Sequence, residues 1–171
     1  AAIQYSYLPS WISFISDMST AEDAGTTLFN TVYNYWKTLP QDTRPKLYVY
    51  GLSLGSFGGQ SPFGGVEDMQ ARTNGTLFMG SPNNSQPWGT ITASREPRSP
   101  QWQPVVNEGT AVRFASSNQT IKSNPERWQS PRVLYLQHGS DPVVWWSPNL
   151  ILHEPDWLKE ARAPDVSTSM H

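Results

Sequence analysis

The run Gly51-Leu52-Ser53-Leu54-Gly55, directly behind the β-prone residues Lys46 to Tyr50, constrains this chain more than any other feature. A serine held on a sharp turn from a strand into a helix needs small residues two positions before and two after it. Otherwise side chains collide with the neighbouring strand and with the helix. Such a turn lifts the hydroxyl clear of the sheet and aims the next backbone N–H at the same point. Ser53 is therefore the expected nucleophile, and the Leu54 N–H the expected donor to a developing oxyanion. Ser56, Phe57, Gly58 and Gly59 then permit tight packing behind the turn. The alternative, a glycine-rich phosphate loop, wants the fuller G-x-G-x-x-G or a following Lys-Ser/Thr, and neither is present.

The surrounding pattern supports a strand–turn–helix reading. Ala2 to Tyr7 alternate as a strand does, and Pro9 ends them. Ser19 and Thr20 offer a cap, with Asp23 as a capping-box-like partner. Ala21, Ala24, Leu28, Val32, Tyr35 and Leu39 follow at helical spacing until Pro40 stops them. Gly75 to Gly80 and Arg132 to Gln137 read as buried strands, and Val112 to Ala115 as a short one. Residues 81–110 show no period and read as a loop-rich excursion above the sheet. From Trp145 onward the chain reads as loop, with a helical turn around Asp156 to Ala161. Short apolar strands alternating with helices predict one α/β domain over residues 1–171, with a mostly parallel sheet and helices on both faces.

Asp141 stands just past the Arg132 to Gln137 strand, the place for an acid that follows the nucleophile in order. Alone, an Asp-Pro pair is more often a turn cap. With Ser53 accepted, the acid role is the better reading. The base is harder to find among the 3 histidines. His138 precedes Asp141 and reads as structural, and His171 is terminal. His153 has the right order but follows Asp141 too closely for another helix to intervene. The base is either His153 or a histidine outside this chain, and order and spacing favour the second.

The 8 tryptophans imply heavy aromatic packing or an apolar cleft. Trp145 and Trp146 follow Asp141 so closely that a substrate-cleft role balances a core role for this pair. The acidic pairs Glu67/Asp68 and Asp156/Glu160 read as solvated faces. No cluster has metal-ligand spacing, and no cofactor is expected.

Composition narrows the classes further. Net charge is −2 with scattered Lys and Arg, so there is no basic stripe for nucleic acid. The chain holds no cysteine, which removes disulfides, thiolate zinc sites and cysteine nucleophiles. No apolar run approaches the ~18 residues of a membrane-span candidate, so the chain itself is expected to be soluble. The first residue is not methionine, which suggests a processed or partial form.

With these residues in place, the chain resembles the α/β-hydrolase catalytic domain at the C-terminal end of multipass membrane proteins of actinobacteria. The matching stretches are Ile3 to Trp11, Leu47 to Gly59, Val133 to Pro148, Pro155 to Leu158 and Pro164 to Ser167. The resemblance implies a serine-hydrolase fold with Ser53 and Asp141 on the nucleophile and acid positions. It implies that the family's domain begins upstream and continues downstream, where a histidine-bearing segment supplies the base, so that this chain is a central fragment lacking both ends. It also implies a membrane tether or cell-envelope location for the full-length protein. The expected activity is hydrolysis of a small-molecule or lipid-like ester. The alternatives are acyl transfer at the same site and a catalytically silent membrane-associated module.

Overall fold

The computed structural model describes residues 1–2, 18–124 and 126–168. Of the strand expected over residues 2–7, residues 3–7 lie outside the described residues, as does the terminal His171. The first helix, α1 (Met18–Thr38), starts slightly ahead of the cap read at Ser19 and Thr20. It is followed by β1 (Tyr48–Leu52), α2 (Leu54–Gln60), α3 (Val66–Arg72), β2 (Gly75–Met79) and α4 (Trp88–Ala93). Then come β3 (Val112–Ala115), α5 (Asn118–Ile121), β4 (Arg132–Leu136), α6 (Pro142–Trp145) and α7 (Asp156–Lys159). The excursion over 81–110 is thus not wholly loop, because α4 lies within it.

The four strands form one all-parallel sheet in the order β1-β2-β4-β3. Their C-terminal ends lie in register, Leu52 beside Met79, Met79 beside Leu136, and Leu136 beside Ala115. One register row below, Gly51, Phe78, Tyr135 and Phe114 share a face. Phe114 stacks on Tyr135 at 4.9 Å between ring centroids, and Tyr135 meets Phe78 at 5.4 Å. Large side chains in three strands and glycine in the fourth leave a shelf over β1, and α2 occupies it. A β-carbon on Gly51 would stand 2.3 Å from the Gly55 carbonyl oxygen.

Helix α1 reaches α2 by the same device. A β-carbon on Gly25 would lie 2.0 Å from the Gly58 carbonyl oxygen, and one on Gly58 would lie 2.4 Å from that of Ala21. Backbones this close leave no room for a methyl group. On the opposite face, Arg113 of β3 is buried and donates to the carbonyls of Gly109 and Ile121, which brings the α5 region over that strand. The β1 end of that face carries Tyr48, Tyr50 and Leu52, all more than half exposed among the described residues.

Tryptophans anchor the long connections by their ring nitrogens. Trp102 Nε1 donates to the Ala161 carbonyl at 2.8 Å, Trp128 Nε1 to Ala111 at 3.1 Å, and Trp145 Nε1 to His138 at 2.8 Å. Three of the four paired acids hold arginines. Asp68 pairs with Arg72 at 3.1 Å. Asp156 and Glu160 both hold Arg95 of the excursion, at 2.8 and 2.9 Å. Burial pulls the Arg95 pKa down, and hydrogen bonds and charge from these two carboxylates leave it raised on balance.

Candidate active site

Ser53 sits between the end of β1 and the start of α2 with φ 53° and ψ −120°. Positive φ is strained for a residue with a β-carbon, and such strain costs on the order of 1–3 kcal/mol. Three bonds hold it: its N–H donates to the Met79 carbonyl at 2.8 Å, and its carbonyl accepts the Ser56 N–H at 2.8 Å and the Phe57 N–H at 3.1 Å. The Leu54 N–H is the first of helix α2, so it has no intrahelical acceptor, and it has no other acceptor among the described residues. Of the two motif glycines, Gly51 is demanded by the turn. A β-carbon on Gly55 would meet nothing within 4 Å among the described residues.

Asp141 caps α6, its Oδ1 accepting the Val143 N–H at 3.0 Å. Its N–H donates to the His138 carbonyl at 3.2 Å, which folds the chain back over the end of β4. The cap reading and the acid reading are compatible, because the second oxygen remains free of the cap. Oδ2 stands 3.1 Å from where a β-carbon on Gly80 would be, and Gly80 has φ +55°. Gly80 directly follows Met79, whose carbonyl holds the Ser53 N–H. Ser53 and Asp141 therefore lie at the same C-terminal edge of the sheet, the edge where α/β sheets gather their ligands.

The histidines lie differently. The His138 ring is exposed, with Nδ1 3.2 Å from Asp165 Oδ2, an oxygen that also accepts from Ser140 Oγ at 3.4 Å. The His153 side chain is exposed, and its backbone N–H closes a turn onto the Asn149 carbonyl at 2.9 Å. Neither imidazole hydrogen-bonds Ser53 or Asp141 among the described residues.

The tryptophan pair separates. Trp145 is 5 % exposed and packs edge-on against Trp88 and tilted against Trp157, each at 6.4 Å, as a core residue, and with Trp102 and Trp157 it lines a small cavity of about 30 Å³. Trp146 is 57 % exposed, and the nearby Ile151 and Leu152 are exposed as well. A groove of about 400 Å³ runs beside β1 and α1, lined by Leu28, Val32, Val49, Tyr50, Leu54 and Gly55. It reaches the residues after Ser53 without being lined by Ser53 itself. Among the described residues there is no group of His, Asp and Glu able to hold a metal ion, and no helix long and apolar enough to cross a membrane.

Reading by residue type missed the polar side chains under this turn. Ser56, Gln60, Ser81 and Gln137 are all essentially buried. Ser and Gln ordinarily mark surface, so the available signal was their place directly behind a glycine-rich turn and at a strand end.

A parallel sheet whose C-terminal edge carries a strained serine on a strand-to-helix turn defines an α/β protein of the hydrolase class. The family model described as Alpha/beta-hydrolase family matches residues 1–171, and the chain belongs to that family. No curated protein and no solved structure matches the chain. Membership makes this a hydrolase-type enzyme domain.

Proposed function

We propose that this domain is a serine hydrolase cleaving an ester, with Ser53 as nucleophile and Asp141 as the acid that orients a histidine. The observation that carries the reading is Ser53 itself: a non-glycine residue at φ 53°, fixed to Met79 on one side and Ser56 on the other. Strain of this kind persists where the surroundings enforce it, as at a nucleophile turn.

The chemistry follows from the arrangement. Ser53 Oγ attacks the acyl carbonyl while a histidine takes its proton, and the Leu54 N–H supports the oxyanion. The histidine then gives that proton to the departing alcohol, leaving an acyl-serine. Water repeats the sequence and releases the acid. Strand spacing supports the partnership: β1 and β4 are two spacings apart, about 10 Å, and the Asp141 carboxylate leans back over the intervening Gly80. Since His138 is engaged with Asp165 and His153 points into solvent, the base in this proposal is a histidine other than these two.

The exposed apolar side chains Trp146, Ile151 and Leu152 favour a lipid-like acyl or alcohol group, and a membrane tether in the full-length protein would bring such a substrate within reach. The test is turnover of nitrophenyl esters of rising acyl length by the natural full-length polypeptide. Ser53→Ala should abolish it, and Asp141→Asn should lower kcat by several powers of ten. Turnover that survives Ser53→Ala contradicts the proposal.

A further inference from the structure

Beneath the Ser53 turn runs a chain of buried polar side chains that the reaction as written does not use. Its centre is Gln60, the last residue of α2, with no exposed surface. Its Nε2 donates to the Ser56 carbonyl at 3.1 Å and lies 3.4 Å from Ser81 Oγ. Ser56 and Ser81 hydrogen-bond each other through their hydroxyls at 2.7 Å. The amide oxygen accepts the Trp88 N–H at 3.0 Å and the Tyr135 hydroxyl at 3.1 Å. The Trp88 backbone N–H can only donate, so the amide orientation is fixed. Trp88 Nε1 continues the chain to Gln137 Oε1 at 2.9 Å, and Gln137 Nε2 donates to the Trp102 carbonyl at 2.9 Å.

Each end of this chain touches one of the two proposed reacting elements. Ser56 binds the Ser53 carbonyl through its own N–H. Ser81 follows Gly80, against which the Asp141 carboxylate rests. Gln137 precedes His138, whose carbonyl holds the Asp141 N–H. The requirement at position 60 is chemically narrow: a donor and an acceptor on one planar group, in a place closed to water. Leucine would supply neither, methionine at most a weak acceptor, and an ionised glutamate would supply acceptors alone.

We infer that Gln60 is a positioning residue that sets the separation of Ser53 and Asp141, acting through Ser56 and Ser81 on one side and through Trp88 and Gln137 on the other. The inference rests on the reading of Ser53 and Asp141 as one site. Reacting groups must be held within about 0.5 Å of productive geometry, and a displacement of 1 Å is able to cost on the order of a hundredfold in rate.

The experiment uses the natural full-length polypeptide as wild type, Ser53→Ala, Gln60→Met, Gln60→Glu and Ser81→Ala. The readouts are the second-order rate constant for labelling by a fluorophosphonate, kcat and KM for a nitrophenyl ester, and the melting temperature. Gln60→Met, in samples folded at the assay temperature, should lower labelling rate and kcat about tenfold or more with little change in KM. Gln60→Glu adds a signature that packing alone does not produce. A protonated carboxyl again offers one donor and one acceptor, so the ratio of variant to wild-type rate should rise as pH falls. Should Gln60→Met fail to fold, Ser81→Ala, which removes a single hydroxyl, should still lower kcat at unchanged KM. A folded Gln60→Met or Ser81→Ala enzyme with wild-type labelling and kcat overturns the inference while leaving the Ser53 reading intact. Wild type whose labelling is the same as that of Ser53→Ala overturns the reading and the inference together.

Discussion

The β-carbon that Gly51 lacks would lie 2.3 Å from the carbonyl oxygen of Gly55, so the first turn of α2 sits directly on the end of β1. The two glycines flanking Ser53 are therefore unequal. Gly51→Ala forces backbone against backbone and should cost about 3 kcal/mol, the upper end for overpacking. Gly55→Ala meets nothing within 4 Å among the described residues and adds a better helix former, so it should leave stability unchanged or raise it by up to about 1 kcal/mol. Denaturant melts of the two variants check this.

Burial raises the Tyr135 pKa well above its ordinary value. In the unfolded chain the same phenol ionises near pH ~10. The unfolded state thus loses its proton first, so this contribution to stability is complete below about pH 10 and declines as pH rises beyond it. Tyr135→Phe should be less stable than wild type at neutral pH, because Gln60 loses a donor. The gap between the two should narrow above about pH 10. Urea unfolding from pH 7 to 11 measures both.

Trp145 and Trp146, adjacent in sequence, should respond oppositely to truncation. Trp145→Ala opens the core beside Trp88 and Trp157 and should cost about 3–5 kcal/mol. Trp146→Ala removes an exposed ring and should leave the melt within about 0.5 kcal/mol. Its effect should appear instead as a raised KM for long-chain esters with short-chain esters unaffected.

His138 is engaged with Asp165 and makes no hydrogen bond to Ser53 or Asp141 through its ring among the described residues, so its loss should not touch the chemistry. His138→Ala is expected to retain wild-type kcat and fluorophosphonate labelling. A loss of a hundredfold or more, without unfolding, would identify His138 as the base and displace the arrangement proposed above.

What was legible in the sequence was what local pattern dictates. The β1, β2 and β4 runs are short and apolar, and Gly51 to Gly55 follows the first of them. Helix α1 carries its period in Ala21, Leu28 and Val32. Helix α4 was hidden because Pro87 precedes it and six residues are too few to show a period. Strand order was hidden as well: β3 lies outside β4, and nothing in either strand specifies that. The place of Ser53 and Asp141 at the C-terminal edge of the sheet was readable from motif and order. The Gln60 chain was not, because its partners come from α2, the Ser81 turn, α4 and β4, and only the fold brings them together. Trp145 and Trp146 differ by which side of a short helix end they occupy, a distinction that composition does not carry.

The central claim is that Ser53 is an activated nucleophile. Its most direct test is the site of covalent modification after brief exposure of the natural full-length polypeptide to a fluorophosphonate. Trypsin releases residues 47–72 as one fragment containing Ser53, Ser56 and Ser61, and sequencing that fragment by tandem mass spectrometry distinguishes the turn serine from the buried Ser56 and the half-buried Ser61. The account expects a single phosphonyl adduct on Ser53, absent from Ser53→Ala and from heat-denatured protein. An unmodified fragment, or an adduct that persists when Ser53 is alanine, would contradict it.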